Sequence, residues 1–73
     1  MGKVIKVKAR FNASRGKFEK FGDGMYLAYL DFPEDNDSTN VIASLIARQI
    51  GVPGGSVEFA GKDMHGNLIF EVM

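Results

Sequence analysis

The chain has 73 residues, of which 45% are apolar, no cysteine, and nine basic residues against nine acidic ones. That composition describes one small globular domain whose core is near the lower size limit, with neither a disulfide nor a thiolate metal site to reinforce it. Seven of the nine basic residues, Lys3, Lys6, Lys8, Arg10, Arg15, Lys17 and Lys20, lie in the first twenty positions against Glu19 alone, so residues 1–20 carry +6 and the remaining 53 carry −6.

Residues 3–11 (KVIKVKARF) place Ile5, Val7, Ala9 and Phe11 on one face and Lys6, Lys8 and Arg10 on the other. That period of two predicts a half-buried strand. Asn12 to Gly16 is turn chemistry; Asn12-Ala13-Ser14 fits a glycosylation pattern but reads as a plain turn. Lys17–Phe21 is expected as a short, poorly specified strand. Gly22-Asp23-Gly24 is a hairpin signal, because Asp-Gly accepts the positive φ angles of tight hairpin turns. Residues 25–32 (MYLAYLDF) follow as an aromatic-rich strand bounded by Pro33.

The segment from Glu34 to Thr39 is dense in side chains that cap helices, and its charge suits the positive end of a helix dipole. A helix is expected from Thr39 to Ile50, burying Ile42, Leu45, Ile46 and Gln49/Ile50, and stopped by Gly51 and Pro53. Gly54-Gly55 then leads into a strand over 57–61, and residues 62–66 turn into a last strand over 68–73. The order implies an α+β, two-layer ββαββ fold: one helix on a four-stranded mixed sheet of order 2-1-4-3. A right-handed crossover would make the first and last strands parallel neighbours, and a strand near 17–21 would extend one edge.

No apolar run is long enough to cross a membrane. Met1-Gly2-Lys3 leads straight into the first strand without the apolar stretch of a signal peptide, so a cytoplasmic protein is expected.

The basic set Lys6, Lys8, Arg10, Arg15, Lys17 and Lys20 could follow phosphates, with Tyr26 or Tyr29 as a stacking plane. The plainer reading is a solvated face on which Asp31, Glu58 and Glu71 neutralise the first strand across the sheet, each pair contributing ~0.2–1 kcal/mol. Glu34, Asp35 and Asp37 already fill the helix N-terminus with negative charge, so capping is preferred there to anion binding, and calcium-loop spacing is absent. His65 sits in a turn beside Asp63 without a nucleophile in a catalytic context. Residues 51–55 lack the Lys and Ser/Thr of a phosphate loop. No catalytic residue, metal set or cofactor is expected. Leu27, Tyr29 and Ile69 fall on the outward face, where a charge-rimmed apolar spot would suit a protein partner.

Ala13-Ser14-Arg15, Gly22-Asp23, Pro33 and the acidic turn to Asn40, followed by the helix, Gly51-Val52 and Gly61, resemble the YggU-like family of small uncharacterised proteins. The chain has Phe11 where that family tends to have Pro, Asp37-Ser38-Thr39-Asn40 for its Gly-Lys-Ala-Asn, and His65 and Asn67 for its last-turn basic residues; the family's C-terminal helix has no counterpart. The resemblance brings no activity with it. A weaker one, through Ile50-Gly51-Val52-Pro53, Phe59-Ala60-Gly61-Lys62 and Gly66, is to ubiquitin-like β-grasp proteins, whose modifiers act through a flexible Gly-Gly tail where this chain has Phe70-Glu71-Val72-Met73. The preferred expectation is a small non-enzymatic interaction domain with an unknown protein partner, monomeric or weakly dimeric and off the membrane. Nucleic-acid binding by the basic third is the alternative.

Overall fold

The computed structural model describes residues 2–73. Five strands and one long helix follow in the order β1 (Lys3–Arg10), β2 (Lys17–Gly22), β3 (Met25–Tyr29), α1 (Ser38–Ile50), β4 (Val57–Lys62) and β5 (Leu68–Val72), with a short 3-10 turn at Gly54–Ser56 before β4. The strands form one mixed sheet of order β2-β3-β1-β5-β4. The helix covers one face. Among the described residues no helix is long and apolar enough to cross a membrane.

The expected order of the four main strands holds, and Lys17–Gly22 extends the β3 edge as a fifth. One direction does not. The first and last strands are antiparallel, with Ile5 opposite Phe70 and Lys6 opposite Ile69, rather than parallel. The cause is β2. It pairs antiparallel with β3 on the far side from β1, so the chain reverses once more before β3, which lies parallel to β1. That extra reversal changes the relative direction of β1 and every strand after β2.

The connection from β1 to β2 has to pass the end of β3, and it does so hydrogen-bonded. Leu30 N–H donates to the Arg10 carbonyl at 2.8 Å, Ala13 N–H to Leu30 at 2.8 Å and Asn12 N–H to Phe32 at 3.0 Å. The regular ladder of β3 therefore stops at Tyr29, short of the expected residue 32, while irregular pairing continues.

Helix α1 begins one residue earlier than expected, and its loop works differently. Asp37 occupies the N-cap position without a side-chain cap hydrogen bond, and the first turn holds no acid. The loop carboxylates instead shape the approach to the helix. Asp35 Oδ1 accepts from Asp37 N–H at 2.9 Å and from Ser38 Oγ at 3.3 Å, while Ser38 Oγ accepts from Asp35 N–H at 2.8 Å. The helix buries Ser38, Ile42, Ala43, Ile46 and Ala47; Leu45 and Ile50 are half-buried, and Gln49 is exposed. Two small alanines let the helix approach the sheet closely. Gly51 ends it as expected, at φ 77°, with its N–H donating to Ala47 at 2.9 Å.

The core is a single layer: Ile5 and Val7 from β1, Tyr26 and Ala28 from β3, Leu30 just beyond, Val57 from β4, and Leu68, Phe70 and Val72 from β5, against the helix. Phe18 stacks on Tyr26 at 5.2 Å, and Phe59 meets Phe70 edge-on at 5.5 Å.

Phe70 is fully buried whereas Phe59 is 43% exposed at the sheet edge. In denaturant titrations Phe70→Ala should lose about 3–5 kcal/mol, most of what a core this size supplies, and Phe59→Ala should lose clearly less. At Gly24 the backbone has φ 68°, and an added Cβ would stand 3.2 Å from the Val4 carbonyl oxygen. Gly24→Ala should therefore lower stability by about 1–2 kcal/mol, read as a fall in melting temperature.

Candidate functional site

The side of the sheet away from the helix presents an ordered grid, because period-two alternation in adjacent strands brings like-facing residues into rows. Arg10 of β1 lies opposite Tyr29 of β3, which lies opposite Lys17 of β2. Lys8 lies opposite Leu27, which faces Glu19. Lys6 lies between Met25 on β3 and Ile69 on β5. Along the sheet this makes a basic column on β1 beside an apolar and aromatic column on β3.

The acids expected to neutralise that column are elsewhere. Glu71 is opposite Val4, beyond Lys6, and Glu58 is opposite Glu71. Asp31 lies past the end of β3. Reversal of β5 is the reason, since an antiparallel last strand carries Glu71 towards the start of β1 instead of alongside its lysines. The ion pairs that form are Lys6 with Asp63 at 3.8 Å, Lys17 with Glu19 at 3.0 Å and Lys62 with Glu34 at 3.6 Å, all involving exposed lysines. Among the described residues Lys8 and Arg10 make none.

The remaining residues singled out from the sequence separate. Lys20 is opposite Tyr26 and so shares the helix side of the sheet, and Arg15 is exposed in the connection between β1 and β2. Of the apolar trio, Leu27 and Tyr29 are neighbours on β3, but Ile69 is on β5, with the lysines of β1 between.

A cleft of about 400 Å³ opens on this face over Lys6 and Lys8. One wall is the β2–β3 hairpin, which contributes Phe21 and Met25; the other is the turn after β4, which contributes His65 and Asn67. Phe21 is brought there by a β-bulge between Lys20 and Gly22. Its sequence signal was the three-residue spacing from Phe18, which breaks strand alternation.

Asp63 builds the second wall. Its Oδ1 accepts from His65 and Asn67 N–H, both at 2.9 Å, its Oδ2 accepts from Asn67 Nδ2 at 3.1 Å, and its own N–H donates to the Asn67 carbonyl at 3.0 Å. Partial burial of this carboxylate, 18% exposed, pushes its pKa up. The Asn67 backbone and side-chain hydrogen bonds, that from His65 N–H and the Lys6 charge outweigh burial and hold it below the usual 3.8. Among the described residues no group of three or more His, Asp or Glu side chains gathers to hold a metal ion.

Comparison with family models, curated proteins and solved structures returned no match to this chain.

A carboxyl group with a depressed folded-state pKa stabilises the fold above its unfolded pKa, and that contribution disappears as pH falls through the folded value. For Asp63 the window opens below 3.8. Asp63→Ala should speed amide hydrogen exchange at His65 and Asn67 at neutral pH. Asp63→Asn, which retains an acceptor oxygen, should protect those amides partly and flatten the acid limb of stability measured against pH.

Proposed function

We propose that this protein is a non-enzymatic binding domain whose helix-free sheet face takes single-stranded nucleic acid. Phosphates lie along Lys8 and Arg10, with Lys17 at the β2 edge, and bases lie against Tyr29 and Leu27. The observation that carries this reading is the register that sets Lys8 opposite Leu27 and Arg10 opposite Tyr29, with no ion pair at either cation among the described residues. Sequence-tolerant single-strand binding needs those two ingredients side by side: a cationic track for the backbone and flat or apolar surface for bases. Residues along one strand face repeat about every 6.6 Å, and the two columns run together from Lys6 to Arg10.

The sequence alone favours a protein partner seated on Leu27, Tyr29 and Ile69. Those three apolar positions are divided by the lysines of β1, whereas the same division serves a polyanion.

Fluorescence anisotropy with a short single-stranded oligonucleotide tests the proposal. Affinity should fall steeply with salt, with a log–log slope of about −0.7 per neutralised phosphate. Lys8→Gln and Arg10→Gln should each make that slope shallower by about one such increment. Tyr29→Ala should weaken binding by about 1–3 kcal/mol with the slope unchanged. Glu58→Gln should not weaken binding. A flat titration at low salt with folded protein would overturn the assignment.

A further inference from the structure

The basic column has two unlike ends. At one, Arg10, Tyr29 and Lys17 form an open row. Past Lys6, at the other, the row is Val4, Glu71 and Glu58, with both acids exposed and directly opposite each other. The hairpin tip carrying Asp23 lies at this same end, since the Gly24 carbonyl accepts from Lys6 N–H at 2.8 Å. A phosphodiester chain laid along β1 would be attracted as far as Lys6 and repelled beyond it, because phosphates and carboxylates at close range oppose each other.

The cleft lies just before this reversal of charge. Its floor is Lys6 and Lys8, and its walls are Phe21 with Met25 on one side and His65 with Asn67 on the other. Phe21 is 56% exposed and Met25 40%, so both present apolar surface that is not committed to the core. About 400 Å³ falls within the range of small-molecule sites. The carboxylate of the second wall, Asp63, is already engaged by three hydrogen bonds and by Lys6 at 3.8 Å. Those bonds hold the 63–67 turn, which fixes where His65 and Asn67 stand.

We propose that this cleft is an end site: it receives the terminal phosphate of a single strand, with the last base against Phe21 and Met25. A terminal phosphate monoester carries more negative charge than an interior diester and offers more oxygens to ammonium and imidazole donors. Lys8 serves both sites, as the last cation of the track and the first of the cleft. The glutamates prevent the strand from running on. This inference rests on the single-strand reading above and gives it a direction.

The test compares one oligonucleotide sequence in four forms: with a 5′-phosphate, with a 3′-phosphate, with neither, and as a closed circle. One of the phosphorylated linear forms should bind tighter than the unphosphorylated one by about tenfold, and the circle should gain nothing. His65→Ala, at an exposed position, should erase that preference while the unphosphorylated strand binds as before, whereas Phe21→Ala, also exposed, should weaken the phosphorylated and unphosphorylated linear strands alike by removing the surface under the last base. Arg10→Gln should weaken all forms by the same factor. Glu58→Gln with Glu71→Gln should bring the circle up towards the linear strand. If phosphorylated and unphosphorylated strands bind equally well, or the preference survives His65→Ala, the end site is wrong and the track along β1 stands. If no form binds, both readings fall together.

Discussion

Every other feature of this fold depends on β1 being hydrogen-bonded along both of its edges. It pairs with β3 on one side and β5 on the other, and it gives Ile5 and Val7 to the core with no exposure at all. A strand fixed in this way has no freedom of register. Sliding either neighbour by one residue would exchange its faces and put apolar residues in water or charges under the helix. Lys6, Lys8 and Arg10 are therefore held in a straight column at the centre of the sheet, where Lys6 reaches Asp63 of the 63–67 turn and, among the described residues, Lys8 and Arg10 reach no acid.

Strand direction decides which charges meet. Had β5 run parallel to β1, its single outward acid would have risen alongside the lysines and offset part of their charge. The small strand β2 prevents that. It adds one reversal between β1 and β3, and β5 consequently runs against β1, with Glu71 opposite Val4. A six-residue edge strand, contributing mainly Phe18 to the core, thus determines the charge pattern on a face two strands away.

The parts legible in the sequence are those set by local chemistry. Alternation over 3–11 gives β1 and its two faces, Asp23-Gly24 gives the hairpin, and Gly51 with Pro53 gives the end of the helix. Strand β2 was only faintly legible, because its bulge spaces Phe18 and Phe21 by three and hides the period of two. Direction could not be read at all without knowing on which side of β3 that strand would lie. The expected neutralising role of Asp31, Glu58 and Glu71 failed for that reason: their outward facing was right for the two glutamates, and their position along β1 was not. The cleft was illegible because it joins residues 21 and 25 to residues 65 and 67 across β1, a contact created only by sheet order.

The cations of the column without an ion pair among the described residues, Lys8 and Arg10, also bear on why the fold has two layers and stops there. Neighbouring cations about 6.6 Å apart on one strand face repel by roughly 0.6 kcal/mol in water, a strain that the sheet tolerates because solvent screens it. Covering this face with a second helix would strip water from Lys8 and Arg10 without supplying a counter-charge, at several kcal/mol per ion. The same side chains therefore exclude an apolar layer and leave the face open to an anionic one. An anion placed along β1 replaces that repulsion with attraction, so occupancy of the face and stability of the sheet are linked through the same residues.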